Sequence, residues 1–149
     1  MNIKQKLYKH CQEFVNSKLK SIEKTIQSNK DALNSETKSS AGDKHETGRA
    51  MLQLEMEKAG QQLIIVTEMK EQLARVNCDT SSKKVRLGSV IKTNTATYFL
   101  AISMGQIKID GTLYFVISTD SPIGKLMLGK EVNDVVSFRE NDIKITQVI

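Results

Sequence analysis

The stretch "LQLEMEKAGQQLIIVTEMKEQLARV", residues 52–76, decides the architecture of the first half of the chain. Its apolar residues recur in steps of three and four, which is the spacing of a heptad seam: Leu52, Met56, Ala59, Leu63, Val66, Met69, Leu73 and Val76. This pattern predicts a long helix with one narrow apolar stripe. Because most helical stability in proteins comes from packing of such a stripe, the helix requires a partner.

The preceding segment has the properties of that partner. Its apolar residues also follow mostly three- and four-residue steps: Ile3, Leu7, Cys11, Phe14, Val15, Leu19, Ile22, Ile26 and Leu33. Two helices of about 33 residues, at about 1.5 Å per residue, would form an antiparallel hairpin roughly 50 Å long. We therefore expect residues 1–78 to form a coiled-coil hairpin, with its tip at about residues 34–48.

The pattern changes after Cys78. A polar linker, "DTSSKK", precedes six short runs rich in β-branched and aromatic residues: "SVIKT", "ATYFLAIS", "QIKI", "TLYFVIS", "DVVSF" and "IKITQVI". Asp110-Gly111 is a two-residue hairpin signal, and "REND" is a turn. Ser121, Pro122 and Gly129 are suited to start and stop a short helix. Residues 79–149 are thus predicted to form a small antiparallel sheet with one short helix, which makes the chain α+β.

Composition limits the class of protein. The chain has 149 residues, enough for one compact domain or two small ones, and it lacks tryptophan. Without an apolar run of about 18 residues, or the apolar core of a signal peptide, we expect a soluble cytoplasmic protein with no membrane partner. The net charge of +5 arises mainly from residues 1–41, which hold eight Lys/Arg and four Asp/Glu. This excess is consistent with nucleic-acid or DNA binding, and equally with a solvated helix face.

The sequence does not point to a free-standing enzyme. Cys11 and Cys78 have no metal-ligand spacing, and Cys11 falls on the apolar face of the first helix, so both are interpreted as buried or spacer residues. No combination of residues forms a Ser/His/Asp triad, a phosphate loop or a closed metal site.

Two acids in "SSAGDKHETGRAMLQ", residues 39–53, have two possible roles. Asp43 and Glu46 have the spacing of a capping box at a helix start. Their place near the tip of a narrow arm also suits a second role, in which both carboxylates hold part of a Mg²⁺ site. Two carboxylates are too few for a protein-only site, but Mg²⁺ commonly takes its remaining ligands from water and substrate.

Three stretches resemble the bacterial Gre transcript-cleavage factors. "GDKHET", residues 42–47, is similar to the family's tip motif, and Asp43 and Glu46 fall on its two metal-directing acids. "SPIGKLMLGKEVNDVV", residues 121–136, is similar to the family's turn, helix and strand segment, and "VRLGSVIKT" to the strand that opens its C-terminal domain. The order of these features matches over nearly the whole chain. The sequence departs from the family at Thr47, where Asn is usual.

The resemblance implies a fold and a mechanism. The C-terminal domain is expected to be FKBP-like and to dock on RNA polymerase at the rim of the secondary channel, through Ser121, Pro122 and Ile123. The tip acids Asp43 and Glu46 would help hold a Mg²⁺ shared with the polymerase, which then hydrolyses the 3′ end of backtracked RNA. The protein would assist that reaction without being an enzyme.

Alternatives remain open for both the protein and the docking residues. The chain can be a non-cleaving regulator of the same channel or an unrelated coiled-coil adaptor. Ser121, Pro122 and Ile123 can equally be a capped helix start with a core isoleucine.

Overall fold

The computed structural model describes the backbone of residues 1–38 and 42–149 and the side chains of residues 1–35 and 46–149. Two long helices come first, α1 (Ile3–Lys38) and α2 (Gly42–Ala74). The apolar positions predicted to form the seams are all buried or half-buried. Both helices continue into the segment expected to be the tip, because the polar residues there include no proline to stop them.

The start of α1 carries a reciprocal cap. The Asn2 Oδ1 atom accepts a hydrogen bond from the Gln5 amide at 2.8 Å, and the Gln5 Oε1 atom accepts one from the Asn2 amide at 3.0 Å. This is the capping-box geometry, in which two amides without helical partners are satisfied at once. The arrangement predicted for Asp43 and Glu46 thus occurs at the start of the other helix.

The second half of the chain forms six strands and one short helix. The elements are β1 (Val90–Thr93), β2 (Thr97–Ala101), β3 (Gly105–Ile109), β4 (Thr112–Ser118), α3 (Pro122–Met127), β5 (Val135–Phe138) and β6 (Asn141–Val148). Each strand overlaps one of the six predicted runs, and α3 lies between the predicted helix start and stop residues. The α+β class is confirmed: long helices come first, followed by a six-stranded sheet and a short helix.

The prediction of a wholly antiparallel sheet is wrong. The strand order is β3-β4-β2-β1-β6-β5, and β2 pairs with β4 in parallel, with Thr97 opposite Tyr114 and Ala101 opposite Ser118. Strand β3, which follows β2 in sequence, lies at the edge of the sheet. Strand β4 then lies between β3 and β2. Because β4 is antiparallel to β3, it runs in the same direction as β2.

Both faces of the central strand β2 are buried. Tyr98 and Leu100 belong to a core cluster that also contains Met127 of α3. The alternate residues Phe99 and Ala101 are fully buried as well. Since successive side chains of a strand point to opposite faces, the sheet is covered on both sides at this strand.

The chain divides in space into two compact units, residues 1–14 with 69–149 and residues 15–68. The first unit contains the sheet together with the start of α1 and the end of α2. The change from helices to strands falls between Ala74 and Val90. The domain division at residues 78 and 79, which follows the order of elements along the chain, stays a prediction.

The unit of residues 15–68 is helical. Ile22, Ala59 and Val66 are buried in it, and Thr25 of α1 lines the same groove as Ala59 of α2. The Asn29 side chain is also buried, and its Nδ2 atom has no hydrogen-bond partner among the described residues. A buried polar group in a helical seam lowers stability but restricts which registers the helices can adopt. None of the described helices is long and apolar enough to cross a membrane.

Two hairpins turn through residues with positive φ angles. Asp110 and Gly111 have φ angles of 51° and 83°, the sign that a type I′ turn requires, and they join β3 to β4 as predicted. Arg139 and Glu140, between β5 and β6, have φ angles of 49° and 66°. Neither is glycine, so this second turn is strained in its backbone.

Glu140→Gly is expected to stabilise the protein by about 0.5–1 kcal/mol. The left-handed conformation costs a non-glycine residue about 1–2 kcal/mol, and the substitution removes this cost. Glycine also has more freedom in the unfolded chain, which reduces the gain by about 0.5–1 kcal/mol. Urea unfolding followed by circular dichroism measures the change. Lys108→Gly, on the edge strand β3 where φ is negative, is the control and should destabilise. A lower midpoint for Glu140→Gly would contradict the proposed strain.

Candidate functional site

The two acids lie on the first turns of α2. The helix begins at Gly42, so both positions are helical, although the side chain of Asp43 lies outside the described residues. The Glu46 side chain is exposed. Residues three apart occupy the same side of a helix, which places positions 43 and 46 together. Position 43 thus lies in the first turn of α2, and its role as a cap stays a prediction.

An anionic first turn is favourable at this end of a helix. The unsatisfied amides of the first turn and the helix dipole attract carboxylates there. Among the side chains that the structure describes, no group of three or more His, Cys, Asp or Glu residues is placed to hold a metal ion.

The second candidate site is the start of α3. Ser121 is its N-cap, with the Oγ atom accepting a hydrogen bond from the Gly124 amide at 3.1 Å. The same hydroxyl donates to the Ser118 carbonyl at 2.7 Å, and the Ser118 hydroxyl accepts from the Ser121 amide at 3.1 Å. Pro122 occupies the first turn, as predicted. These bonds fix the direction in which α3 leaves the end of β4.

Gly124 is required by close packing at this cap. A Cβ atom at this position would lie 2.1 Å from the Ser118 carbonyl oxygen and 2.8 Å from the Ser121 Oγ atom. Both distances are far inside van der Waals contact, so any side chain would force the cap apart. The glycine thereby allows α3 to approach the end of β4.

The three residues expected to dock have different environments. Pro122 is exposed, Ser121 is half-buried, and Ile123 is half-buried against the core cluster. The structure brings them together on one turn, but Ile123 also anchors α3 to the sheet. The structural role predicted for Ser121 and Ile123 is therefore present.

Sequence reasoning did not identify a polar cluster at the start of α1. Lys4 is buried, and its Nζ atom donates to the Thr80 carbonyl at 2.7 Å. The Arg86 guanidinium donates to the Thr80 hydroxyl at 2.7 Å. Burial lowers the pKa of the Lys4 ammonium group, and Arg86 adds to this effect, while Cys78 opposes it. No local pattern signals this cluster, because Lys4 and Thr80 are 76 residues apart.

The two thiols near this cluster are not activated. The Cys78 Sγ atom donates to the Lys4 carbonyl at 3.5 Å, and Cys11 is fully buried. Burial raises the pKa of Cys78, an effect that Lys4 opposes, and burial also raises the pKa of Cys11 to about 12. Since the thiolate is the nucleophile, neither cysteine has the low pKa of a catalytic residue. The interpretation of Cys11 as a buried residue is confirmed.

The comparisons with known proteins give distant similarity to solved structures only. No family model matches the chain, and no curated protein sequence matches it. The chain is similar to a solved structure of the transcription factor Gfh1 at 14% sequence identity, over 95% of this chain and 92% of that chain, with a TM-score of 0.35.

Gly124→Ala is expected to destabilise the protein by about 1–3 kcal/mol, because the added methyl group overlaps the Ser118 carbonyl. Gly60→Ala is the matched control. Its Cβ atom would meet nothing within 4 Å, and removing a glycine from the middle of α2 should stabilise by about 0.5–1 kcal/mol. Thermal unfolding of both variants compares the two changes. Equal effects of the two substitutions would contradict the close approach at Gly124.

The raised pKa of Cys11 predicts a specific loss of stability in alkali. The unfolded thiol ionises near pH 9 and the folded thiol only near pH 12, so the unfolded state gains stability as pH rises between these values. The slope approaches about 1.4 kcal/mol per pH unit for one proton. The contribution of Cys11 to the free energy of unfolding is thus largest below pH 9, and it declines as the pH rises above 9.

Urea unfolding of the wild type and of Cys11→Ala at pH 8 and pH 10.5 tests this effect. The stability advantage of the wild type should fall by about 2 kcal/mol between the two pH values, and the comparison isolates Cys11 because every other side chain is the same in both proteins. Parallel stability curves would contradict the prediction.

Proposed function

We propose that this protein is a Gre-type transcription factor that binds RNA polymerase and stimulates cleavage of backtracked RNA. The observation that carries the proposal is the resemblance of residues 121–136 to the Gre segment, because it joins a capped turn, a short helix and a strand in fixed order. The coiled-coil hairpin and the FKBP-like character of the sheet domain belong to the same proposal. A cytoplasmic location follows from a polymerase partner.

Positions 43 and 46 would act on the polymerase active site. Glu46 is exposed, and the helical register puts position 43 on the same side of α2. The oxygen ligands that Mg²⁺ prefers are those of carboxylates, and two of them fit half of a site shared with the polymerase. When bound there, Mg²⁺ supplies charge that activates water or stabilises the leaving oxygen of the RNA. The role of this chain is to bring two carboxylates to that ion.

The start of α3 would dock on the polymerase with a division of roles. The Ser121 hydroxyl already donates to Ser118 and accepts from Gly124, so it positions the turn. Ile123 packs against the core cluster and fixes the helix to the sheet. Ser121 and Ile123 thus hold the turn in place. The exposed Pro122 and Lys125 would then make the direct contact with the polymerase.

A non-cleaving regulator of the same secondary channel is the second candidate. The observation in its favour is the sequence after Glu46, which reads Thr47-Gly48-Arg49-Ala50 where the family normally has Asn and Tyr. Such a protein would bind the polymerase through the same surfaces and alter initiation or pausing. An unrelated coiled-coil adaptor would not bind the polymerase.

The test uses a stalled, backtracked elongation complex from the same organism. We expect the wild type to increase release of short 3′ RNA fragments and Asp43→Ala/Glu46→Ala to lose most of that increase, since no carboxylate remains to hold the shared ion. Glu55→Ala/Glu57→Ala is the matched control, because it also removes two exposed acids from α2. It should retain the activity of the wild type.

Polymerase binding is measured in parallel, and it separates the alternatives. Binding without any acid-dependent cleavage would contradict cleavage stimulation and favour the regulator. The absence of binding would contradict both and favour the adaptor. Pro122→Asp should weaken binding without lowering thermal stability, because the Pro122 side chain is exposed.

A further inference from the structure

Two cationic side chains converge on Thr80. The Lys4 Nζ atom donates to the Thr80 carbonyl oxygen, and the Arg86 guanidinium donates to the Thr80 hydroxyl, both at 2.7 Å. Lys4, Thr80 and Arg86 are here called the Thr80 cluster. Among the side chains that the structure describes, no acid forms an ion pair with either cation. The cluster therefore holds two positive charges near one residue without a described carboxylate to balance them.

The burial of Lys4 makes this lack of a counter-charge unusual. Lys4 is only 5% exposed, and lysines are almost never buried so deeply unless they are paired. Its bond to a neutral carbonyl uses one of three ammonium protons and supplies no negative charge. The Cys78 thiol does not supply that charge at neutral pH, because burial raises its pKa. A buried cation in this environment is stabilised by an anion from outside the chain.

The start of α1 adds to the positive potential. Lys4 lies in the first turn of this helix, which contains no acid. The unsatisfied amides and the dipole of a helix favour an anion at this end and disfavour a cation. Asp79 precedes Thr80 in the sequence, but it is exposed and forms no ion pair with Lys4 or Arg86. Lys83 and Lys84, on the other side of Thr80, outnumber it.

The donors of the cluster match a phosphate group. A guanidinium has five N–H donors, an ammonium group has three and a hydroxyl has one, so each residue keeps a donor after the two bonds to Thr80. A phosphate group has three strong acceptor oxygens and almost two negative charges at neutral pH, whereas a carboxylate has two oxygens and one charge. Arginine also matches the geometry of phosphate oxygens. Because Arg86 is exposed, an anion can reach the cluster from its side.

We propose that the Thr80 cluster binds a phosphate group, with Arg86 and the Thr80 hydroxyl donating to its oxygens and the Lys4 ammonium balancing its charge from the buried side. The phosphate group is that of inorganic phosphate or of a small phosphate monoester such as a nucleotide. The proposal goes beyond the proposed function and does not depend on it, since neither Glu46 nor Pro122 takes part.

Isothermal titration calorimetry of the full chain with sodium phosphate tests the site near neutral pH, with the ionic strength held constant by sodium chloride. Arg86→Gln removes the exposed cation, and we expect it to weaken phosphate binding by at least about tenfold. Arg139→Gln is the matched control, because it also removes one exposed guanidinium, between β5 and β6. Its affinity for phosphate should stay within about twofold of the wild type.

Lys4→Met tests the buried side of the site. It keeps the apolar part of the side chain and removes the ammonium group, so it should also lose phosphate binding. Circular dichroism shows whether this variant folds. If it does not, Arg86→Gln remains a sufficient test, because the Arg86 side chain is exposed.

A parallel titration with adenosine monophosphate distinguishes the two sources of the phosphate group. Binding of this nucleotide that Arg86→Gln weakens supports a monoester ligand, and binding of inorganic phosphate alone supports the free anion. The proposal is overturned if about 10 mM phosphate gives no binding heat and no rise in the unfolding temperature beyond that of chloride, since a ligand that binds the folded state must stabilise it. Equal weakening by Arg86→Gln and Arg139→Gln also overturns it, because binding would then reflect only the overall charge of the protein.

Discussion

Burial of the first turns of α1 in the sheet unit is the constraint on which the rest of that unit depends. Leu7 and Cys11 are fully buried there, and the Lys6 ammonium contacts the Asp110 carboxylate at 2.6 Å, in the β3–β4 turn. The end of α2 is fixed similarly, because the Gln72 amide donates to the Thr119 hydroxyl at 3.0 Å. Apolar burial supplies most of the stability, and the exposed ion pair adds little to it but fixes position. Both ends of the helical segment are thereby held by the same sheet.

Local patterns predicted the elements of this fold well. Turn residues bounded each strand, and Asp110-Gly111 and Ser121-Pro122 produced the turn and the helix start expected of them. The mixed sheet was not predictable, because the parallel pairing of β2 with β4 depends on where β3 lies and not on any local signal. Burial of Lys4 was missed for the same reason, since its acceptor Thr80 is distant in sequence.

At both candidate sites, residues with a proposed functional role also suit a structural one. Ser121 completes the cap of α3 with bonds to Ser118 and Gly124, and the same bonds hold Pro122 at the surface. Asp43 and Glu46 suit the positive end of the α2 dipole, and acids that stabilise a helix start remain available as ligands where they are exposed. Residue type and spacing alone therefore did not separate the two roles. Glu46 and Pro122 are the exposed members of the two sites, so their side chains are the ones that a partner could contact.

The compact unit that holds the sheet is discontinuous, and this has a consequence for folding during synthesis. Residues 1–14 belong to it, but some of their neighbours are made much later: Lys6 and Asp110 are 104 residues apart. At about 5–20 residues per second, a ribosome needs roughly 5–20 s to translate that interval. The apolar face of the first turns of α1 must therefore wait, uncovered by its native neighbours, until β3 and β4 emerge from the exit tunnel.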